Sequence, residues 1–305
     1  MRRVEFTIEK VPEDPRLDKA IPLHHPEVSR GQARRLIENG SVYVNGKRCH
    51  QNAREVRTGD VVHLLISDAP KPKNPERAAG SITAGHIIFE NADLVVVNKP
   101  AGLPTHATID TSRHHLVEAL QEFLGARGGV PPSQVYLGVH HRLDRDTSGV
   151  ILFTKRKEAN AAIAQAFQGR EVEKDYLAVC LGEPRRKEFT VKTYMDTDRR
   201  NKRRMAVVAR GGKHAETQVE HLQTVWKNNR KISLVKASPV TGRMHQIRVH
   251  LAHEGLPLLG DKTYGVEFPG VERVMLHAWR LRVGGQEFIA PFPDDFRSID
   301  FTPPV

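Results

Sequence analysis

Ten consecutive residues, His140-His141-Arg142-Leu143-Asp144-Arg145-Asp146-Thr147-Ser148-Gly149, carry two carboxylates, two cations, two histidines and two hydroxyls. The apolar run Val150-Ile151-Leu152-Phe153 follows at once. A loop of that composition, held by a core strand, is a place where side chains can be displayed accurately for chemistry. The same residues also suit a plain turn in which Asp144 or Asp146 caps the amides of Thr147, Ser148 or Gly149. Spacing alone does not choose between the two.

A second cluster is Thr241-Gly242-Arg243-Met244-His245-Gln246-Ile247-Arg248-Val249-His250-Leu251. Thr241-Gly242 makes a tight turn, and Ile247 and Leu251 begin an apolar helical face that stops at Gly255. Arg248, near the start of that helix, can reach a carboxylate donated by another segment. His245, His250 and His253 invite a zinc site, but no HExxH occurs and Arg248 lies among them. No metal is therefore expected. A third cluster, Arg199-Arg200-Asn201-Lys202-Arg203-Arg204, packs five cations into six residues. It reads as a phosphate grip, with a solvated loop as the alternative.

These clusters need a scaffold, and the 305 residues are enough for two domains. Residues 68–85, DAPKPKNPERAAGSITAG, read as a linker of prolines, glycines and charges. Before it, residues 1–67 read as two short helices and a hairpin. Ser29 caps a helix that runs through Ala33, Leu36 and Ile37 to Gly40, and Asn45-Gly46 is a two-residue hairpin turn. Arg30, Arg34, Arg35, Lys47 and Arg48 gather on its solvent side, which favours phosphate contact. Residues 86–305 mix strands (Leu94–Val97, Val150–Phe153, Tyr176–Leu181, Thr217–Val225, Ile232–Val235) with helices around Leu116–Leu124 and Ala159–Phe167. They have no regular βαβ rhythm and no glycine-rich nucleotide loop, so the fold class is α+β with a mixed or largely antiparallel sheet.

Forty-seven Lys and Arg against 36 Asp and Glu leave a formal charge of +11, which favours a polyanionic partner. No apolar run approaches a membrane span, and the charged opening MRRVEFTIEKVPEDPR is unlike a signal peptide. Two lone cysteines, Cys49 and Cys180, suit a reducing cytoplasm.

The residues carry a resemblance beyond these patterns. Val139–Gly149 is similar to the HRLDxxTSG signature of RluA-type pseudouridine synthases. His86–Leu103 resembles that family's opening strand and NKPxG turn, and Lys174–Ala178 its KxYLA segment. Thr241–His250 resembles TGRxHQIRVH, Leu258–Asp261 with Tyr264 resembles LGDxxYG, Leu276–Ala278 matches LHA, and Ala290–Pro293 matches APxP. Residues 14–67 resemble the α-L RNA-binding motif of the ribosomal protein S-four type, on Val28–Gly40 and Val42–Lys47, with Gly31 in place of a small polar residue.

The resemblance implies a curved mixed sheet with a central cleft for a flipped uridine. It implies that Asp144 is the essential aspartate, that Arg142 enters the space the base leaves, that Tyr176 packs on the target ring and that Arg248 pairs with Asp144. His141, Thr147, Lys174 and Arg243 are expected on the RNA-binding wall. Asp146 falls at an x position and is given no role, and residues 104–138 have no strong match. Isomerising uridine breaks the C1′–N1 bond, turns the uracil and rejoins it through C5. The leaving uracil carries its own charge, so one carboxylate suffices where a glycosidase needs two. No cofactor is implied. The expected partner is RNA, large-subunit ribosomal RNA ahead of tRNA, with no protein partner and a monomeric chain. A non-catalytic RNA-binding protein and an RNA N-glycosidase are the competing readings.

Overall fold

The computed structural model describes residues 2–38, 40–66, 81–106, 114–169, 171–202 and 204–304, with every side chain among them except those of Arg2, Arg35 and Ile66. Most of the stretch read as a linker, the side chain of Arg35 and the whole of Arg203 therefore lie outside the described residues. The chain divides into two compact units, Met1–Lys73 and Asn74–Val305. No helix among the described residues is long and apolar enough to cross a membrane.

In the smaller unit, β1 (Arg2–Thr7) precedes α1 (Leu17–His24), α2 (Arg30–Glu38), β2 (Val42–Val44), β3 (Lys47–Cys49) and β4 (Val61–Ile66). The strands form an antiparallel sheet in the order β1-β4-β2-β3. The expected helix start is a reciprocal cap: Gln32 N–H donates to Ser29 Oγ at 3.3 Å, and Ser29 N–H to Gln32 Oε1 at 2.8 Å. Gly40 ends the helix at φ +69°, where a side chain would be strained. Leu17, Ile21, Ala33, Ile37, Val42, Val44, Val62 and Leu64 are fully buried and form the core. β1 is absent from the sequence reading. Among the described residues it pairs only with β4, and it places two arginines and Glu5 among its apolar residues.

The larger unit runs β5 (Ile87–Glu90), β6 (Leu94–Lys99), α3 (Leu116–Gly128), β7 (Gly138–Val139), β8 (Ser148–Thr154), α4 (Asn160–Gln168), β9 (Glu173–Leu181), β10 (Glu188–Thr197), β11 (Met205–Val208), β12 (Lys213–Lys227), β13 (Arg230–Pro239), α5 (Gln246–His253), β14 (Leu276–Val283), β15 (Gln286–Ile289) and α6 (Asp294–Arg297). One mixed, mainly antiparallel sheet of eleven strands orders them β11-β10-β12-β13-β9-β14-β8-β6-β5, with β15 on β14 and β7 on β8. The unit begins inside the stretch read as a linker, because Ile82 is buried in its core.

β8 is buried at all seven positions, which is why its sequence is a continuous apolar run rather than an alternation. Its first residues pair in parallel with β14, His277 opposite Ser148 and Ala278 opposite Gly149. Gly149 sits at φ +114°, and a Cβ there would collide with the backbone of Ala278. Only glycine permits that approach. Both cysteines are buried and free, and burial pushes the Cys180 thiol well up.

Candidate active site

A cleft of about 840 Å³ is lined by the loop His140–Asp144 with Thr147, by Lys174 and Tyr176 of β9, by Phe167 and Gln168 of α4, and by Pro239–Arg248. Lys174 and Tyr176 are two residues apart on a strand, so both point to the same face. The loop is fastened at several backbone atoms. Thr105 Oγ1 donates to the Leu143 carbonyl at 2.8 Å and accepts from its amide at 3.1 Å. The fully buried Lys99 donates to the carbonyls of Pro100, Leu103 and Arg145 at 2.8–2.9 Å. Burial lowers its ammonium to about 7. At the far end Ser148 Oγ lies 2.8 Å from His277 Nδ1. Asp144 therefore rises from a loop braced on both sides, partly exposed to the cleft.

Arg248 joins two carboxylates. Its Nη1 donates to Asp144 at 3.1 Å, while Nε and Nη2 grip the two oxygens of Asp261 at 2.7 Å each. The Asp261 side chain is fully buried and also accepts the amides of Thr263 (2.9 Å) and Tyr264 (3.2 Å). Burial opposes both charges. The pairing outweighs it, holding the Asp261 carboxyl below its ordinary range and the Arg248 guanidinium above its own. Arg248 thus makes its two-point contact to Asp261, and Asp144 receives a single bond.

His245 approaches Asp144 from another side, Nε2 to Oδ2 at 3.7 Å. Its Nδ1 is 2.9 Å from the Tyr264 hydroxyl, which also accepts the Met205 amide at 2.7 Å. A neutral imidazole that accepts the phenol proton at Nδ1 carries its own on Nε2, the nitrogen facing Asp144. Burial holds the ring below its ordinary pKa, with Asp144 pulling the other way. His245 adopts φ +57°, a conformation that costs a non-glycine residue energy and clusters at functional positions. The Tyr264 ring lies 5.1 Å from the Arg248 guanidinium and 5.2 Å from that of Arg204.

Tyr176 stays neutral, since burial and then Asp144 push its phenol upward. Burial also lowers Lys174. Arg142 is exposed on the cleft wall. Arg243 lines the cleft and donates through Nε to the His214 carbonyl at 3.0 Å. Thr147 is buried on the cleft wall with no hydrogen bond to its Oγ1 among the described residues. His141, expected on the RNA-binding wall, lines the cleft and is also tied into the fold. Its Nε2 accepts the Leu152 amide at 3.0 Å and its ring stacks on Phe167 at 4.9 Å. Burial, with Lys174 and His140 nearby, lowers it to about 3. His250 is likewise taken up, both ring nitrogens lying 2.9 Å from the hydroxyls of Thr193 and Thr217.

The model of the RNA pseudouridylate synthase family matches residues 93–253, just over half of the chain. The chain belongs to that family. The S4 domain model matches residues 15–62. An uncharacterized RNA pseudouridine synthase of Aquifex aeolicus is 34% identical over 276 residues, 90% of this chain and 83% of the relative. The ribosomal large subunit pseudouridine synthase C of Haemophilus influenzae is 30% identical, covering 91% of this chain and 86% of its own length. Among solved structures, human RNA pseudouridylate synthase domain containing 1 superposes with a TM-score of 0.55 at 28% identity, over 69% of this chain and 83% of that one. The protein is an RNA pseudouridine synthase, an isomerase.

The synthase's outlying cations fall into distinct settings. Arg199, Arg200 and Lys202 are exposed between β10 and β11, whereas Arg204 folds back over Tyr264. In the S4 unit, Arg30 and Arg34 lean with Arg16 on the buried Asp18, at 3.2, 3.9 and 3.0 Å. Arg48 donates twice to the Tyr43 hydroxyl, and Lys47 is exposed beside the hairpin turn. The sequence reading gave no role to Asp261, His245, Tyr264 or Lys99. Their signal was present, since LGDxxYG, TGRxHQIRVH and NKPxG are where they stand, but only the structure shows which partner each one meets.

Proposed function

We propose that the synthase isomerises a uridine of large-subunit ribosomal RNA, with Asp144 as the catalytic carboxylate. The observation that carries this reading is the position of Asp144 at the cleft, one bond from an arginine that a second, buried carboxylate holds in place. Asp144 acts on the sugar, either by attacking it or by taking its 2′ proton. Arg248 favours the charged carboxylate, and Tyr176 presents a flat neutral face to the ring being turned. Arg142 fills the place of the extruded base and offsets part of the unstacking cost, a few kcal/mol. Lys174, Thr147 and Arg243 line the path of the RNA strand.

Residues 1–67 act as an RNA-holding module tethered to the catalytic unit, whose core takes in Ile82. Its Arg30, Arg34, Arg35, Lys47 and Arg48, with Arg199, Arg200, Lys202, Arg203 and Arg204 of the larger unit, meet phosphates. The chain works as a monomer in the cytoplasm. Support for ribosomal RNA over tRNA comes from the S4 match and from the Haemophilus relative's name. The test is mapping of pseudouridine in total RNA from cells with and without the gene. Loss of a large-subunit site is expected, and loss confined to a tRNA would overturn the target. The product must keep the mass of its substrate, which separates isomerisation from release of uracil.

A further inference from the structure

We propose that His114, Glu118 and Glu122 form a binding site for one divalent transition-metal ion, of the zinc class, that braces the start of α3 away from the reacting atoms. The three residues are four apart, so they stack on one side of the helix and of the turn that leads into it. One donor atom from each lies within 4.8 Å of the other two, the only such group of His, Cys, Asp or Glu among the described residues.

A second observation points to a ligand. The His114 side chain is only 5% exposed, and its Nε2 is 3.1 Å from Glu122 Oε2. Yet neither ring nitrogen, both of them buried, makes an aligned hydrogen bond among the described residues. The nitrogen and the carboxylate oxygen are close but not aligned on each other. A cation placed between them would satisfy both. Donors of a tetrahedral zinc site, at bonds of about 2.0–2.1 Å, stand roughly 3.3 Å apart, near the separation observed for this pair. One imidazole with two carboxylates suits zinc, manganese or iron(II), whereas magnesium and calcium prefer all-oxygen shells.

The site has a structural purpose. The first amides of α3 bond to the 104–105 segment, Leu116 N–H to the Pro104 carbonyl at 2.8 Å. Thr105 in turn holds Leu143, the residue before Asp144. A cation clamped across the first turns of α3 therefore steadies the loop that bears Asp144. The HxxxExxxE spacing was legible in the sequence, but Glu on a helix is so common that only the buried imidazole distinguishes it.

The experiment uses the untagged full-length protein, stripped with chelator and exchanged into chelator-free buffer. Zinc, manganese and magnesium chlorides are titrated by calorimetry, and the zinc form is examined by X-ray absorption. One zinc per chain is expected, with nitrogen and oxygen neighbours and no sulfur. Glu122→Gln, at a half-exposed position that folding tolerates, and Glu118→Gln should each weaken binding at least tenfold, equivalent to about 1.4 kcal/mol. His114→Gln should do the same if it folds. Zinc binding weaker than about 0.1 mM in the wild type would overturn the proposal. So would affinity unchanged in both glutamine variants, since the ion would then sit on other groups.

Discussion

Asp261→Asn tests whether the buried carboxylate serves the cleft through Arg248. Asp261 is more remote than Arg248 from Asp144, and its side chain is fully buried, so it has no route to the base or sugar. Substituting the amide turns one of the two 2.7 Å bonds into a donor facing a donor and removes the charge from the other. Charge-assisted bonds contribute about 1.5–3 kcal/mol each, so the folded state should lose roughly 2–4 kcal/mol, out of a total of ~10. Part of that loss appears as disorder of the guanidinium, whose Nη1 then no longer points reliably at Asp144.

A turnover penalty of about 1.4–2.8 kcal/mol is expected, a tenfold to hundredfold fall in rate. RNA affinity should stay within a few-fold. The assay is single-turnover release of tritium from C5 of labelled uridine, since C5 gives up its hydrogen when it bonds the sugar. It is run well below the melting midpoint of the variant. Arg248→Lys should lose at least tenfold, because an ammonium cannot copy a planar fork that serves two carboxylates. A wild-type rate in the folded Asp261→Asn protein would refute the positioning argument, whatever happened to its stability.

Asp144→Asn should abolish product formation while RNA affinity stays within a few-fold, measured by the same tritium assay and by filter binding; near-normal turnover would remove Asp144 from its role. Deleting residues 1–67 should spare a short stem-loop substrate but weaken binding to large ribosomal RNA. The slope of log affinity against log salt should become shallower by roughly two units, and an identical slope would mean the S4 unit does something else. Folding stability should decline with acid well before the carboxylates titrate. Burial depresses His250 to about 4 and His277 to about 3, against ~6.5 in an unfolded chain. Their contribution is therefore complete above ~6.5 and lost as pH falls towards 4, at up to ~1.4 kcal/mol per pH unit for each. Denaturant midpoints that stay flat between pH 6.5 and 4.5 would contradict this.

The sequence disclosed most readily the elements with continuous apolar runs or clear caps, and hid some whose burial is mixed. β8 and β6 are apolar runs because both faces are covered, and α2 announces itself by Ser29, Gln32 and Gly40. β10 went unread, since its residues alternate between a few buried apolar positions and many exposed polar ones. β14 carries two arginines within its apolar pattern, and their partners, Asp175 and Glu287 for Arg280, come from other strands. Within the site, residue types and motif order were enough to bring Asp144, Tyr176 and Arg248 to one cleft. They were not enough to tell that Arg248 spends its fork on Asp261, or that His141 is occupied by a backbone amide. Those facts depend on which segments become neighbours, and a one-dimensional pattern holds that information only indirectly.

The parallel seam between β8 and β14 also has a bearing on when the protein becomes competent. Ser148 meets His277 across 129 positions of chain, and Asp144 meets Arg248 across 104. Such distant pairings close late, after the entropy of a long loop has been overcome. During synthesis, the segment that seats Gly149 against Ala278 leaves the ribosome well after Asp144 has been exposed. A nascent chain, or one clipped before Ala278, would thus hold an RNA-binding face before it holds a working carboxylate, and reactivity would arrive only once Ala278 has emerged.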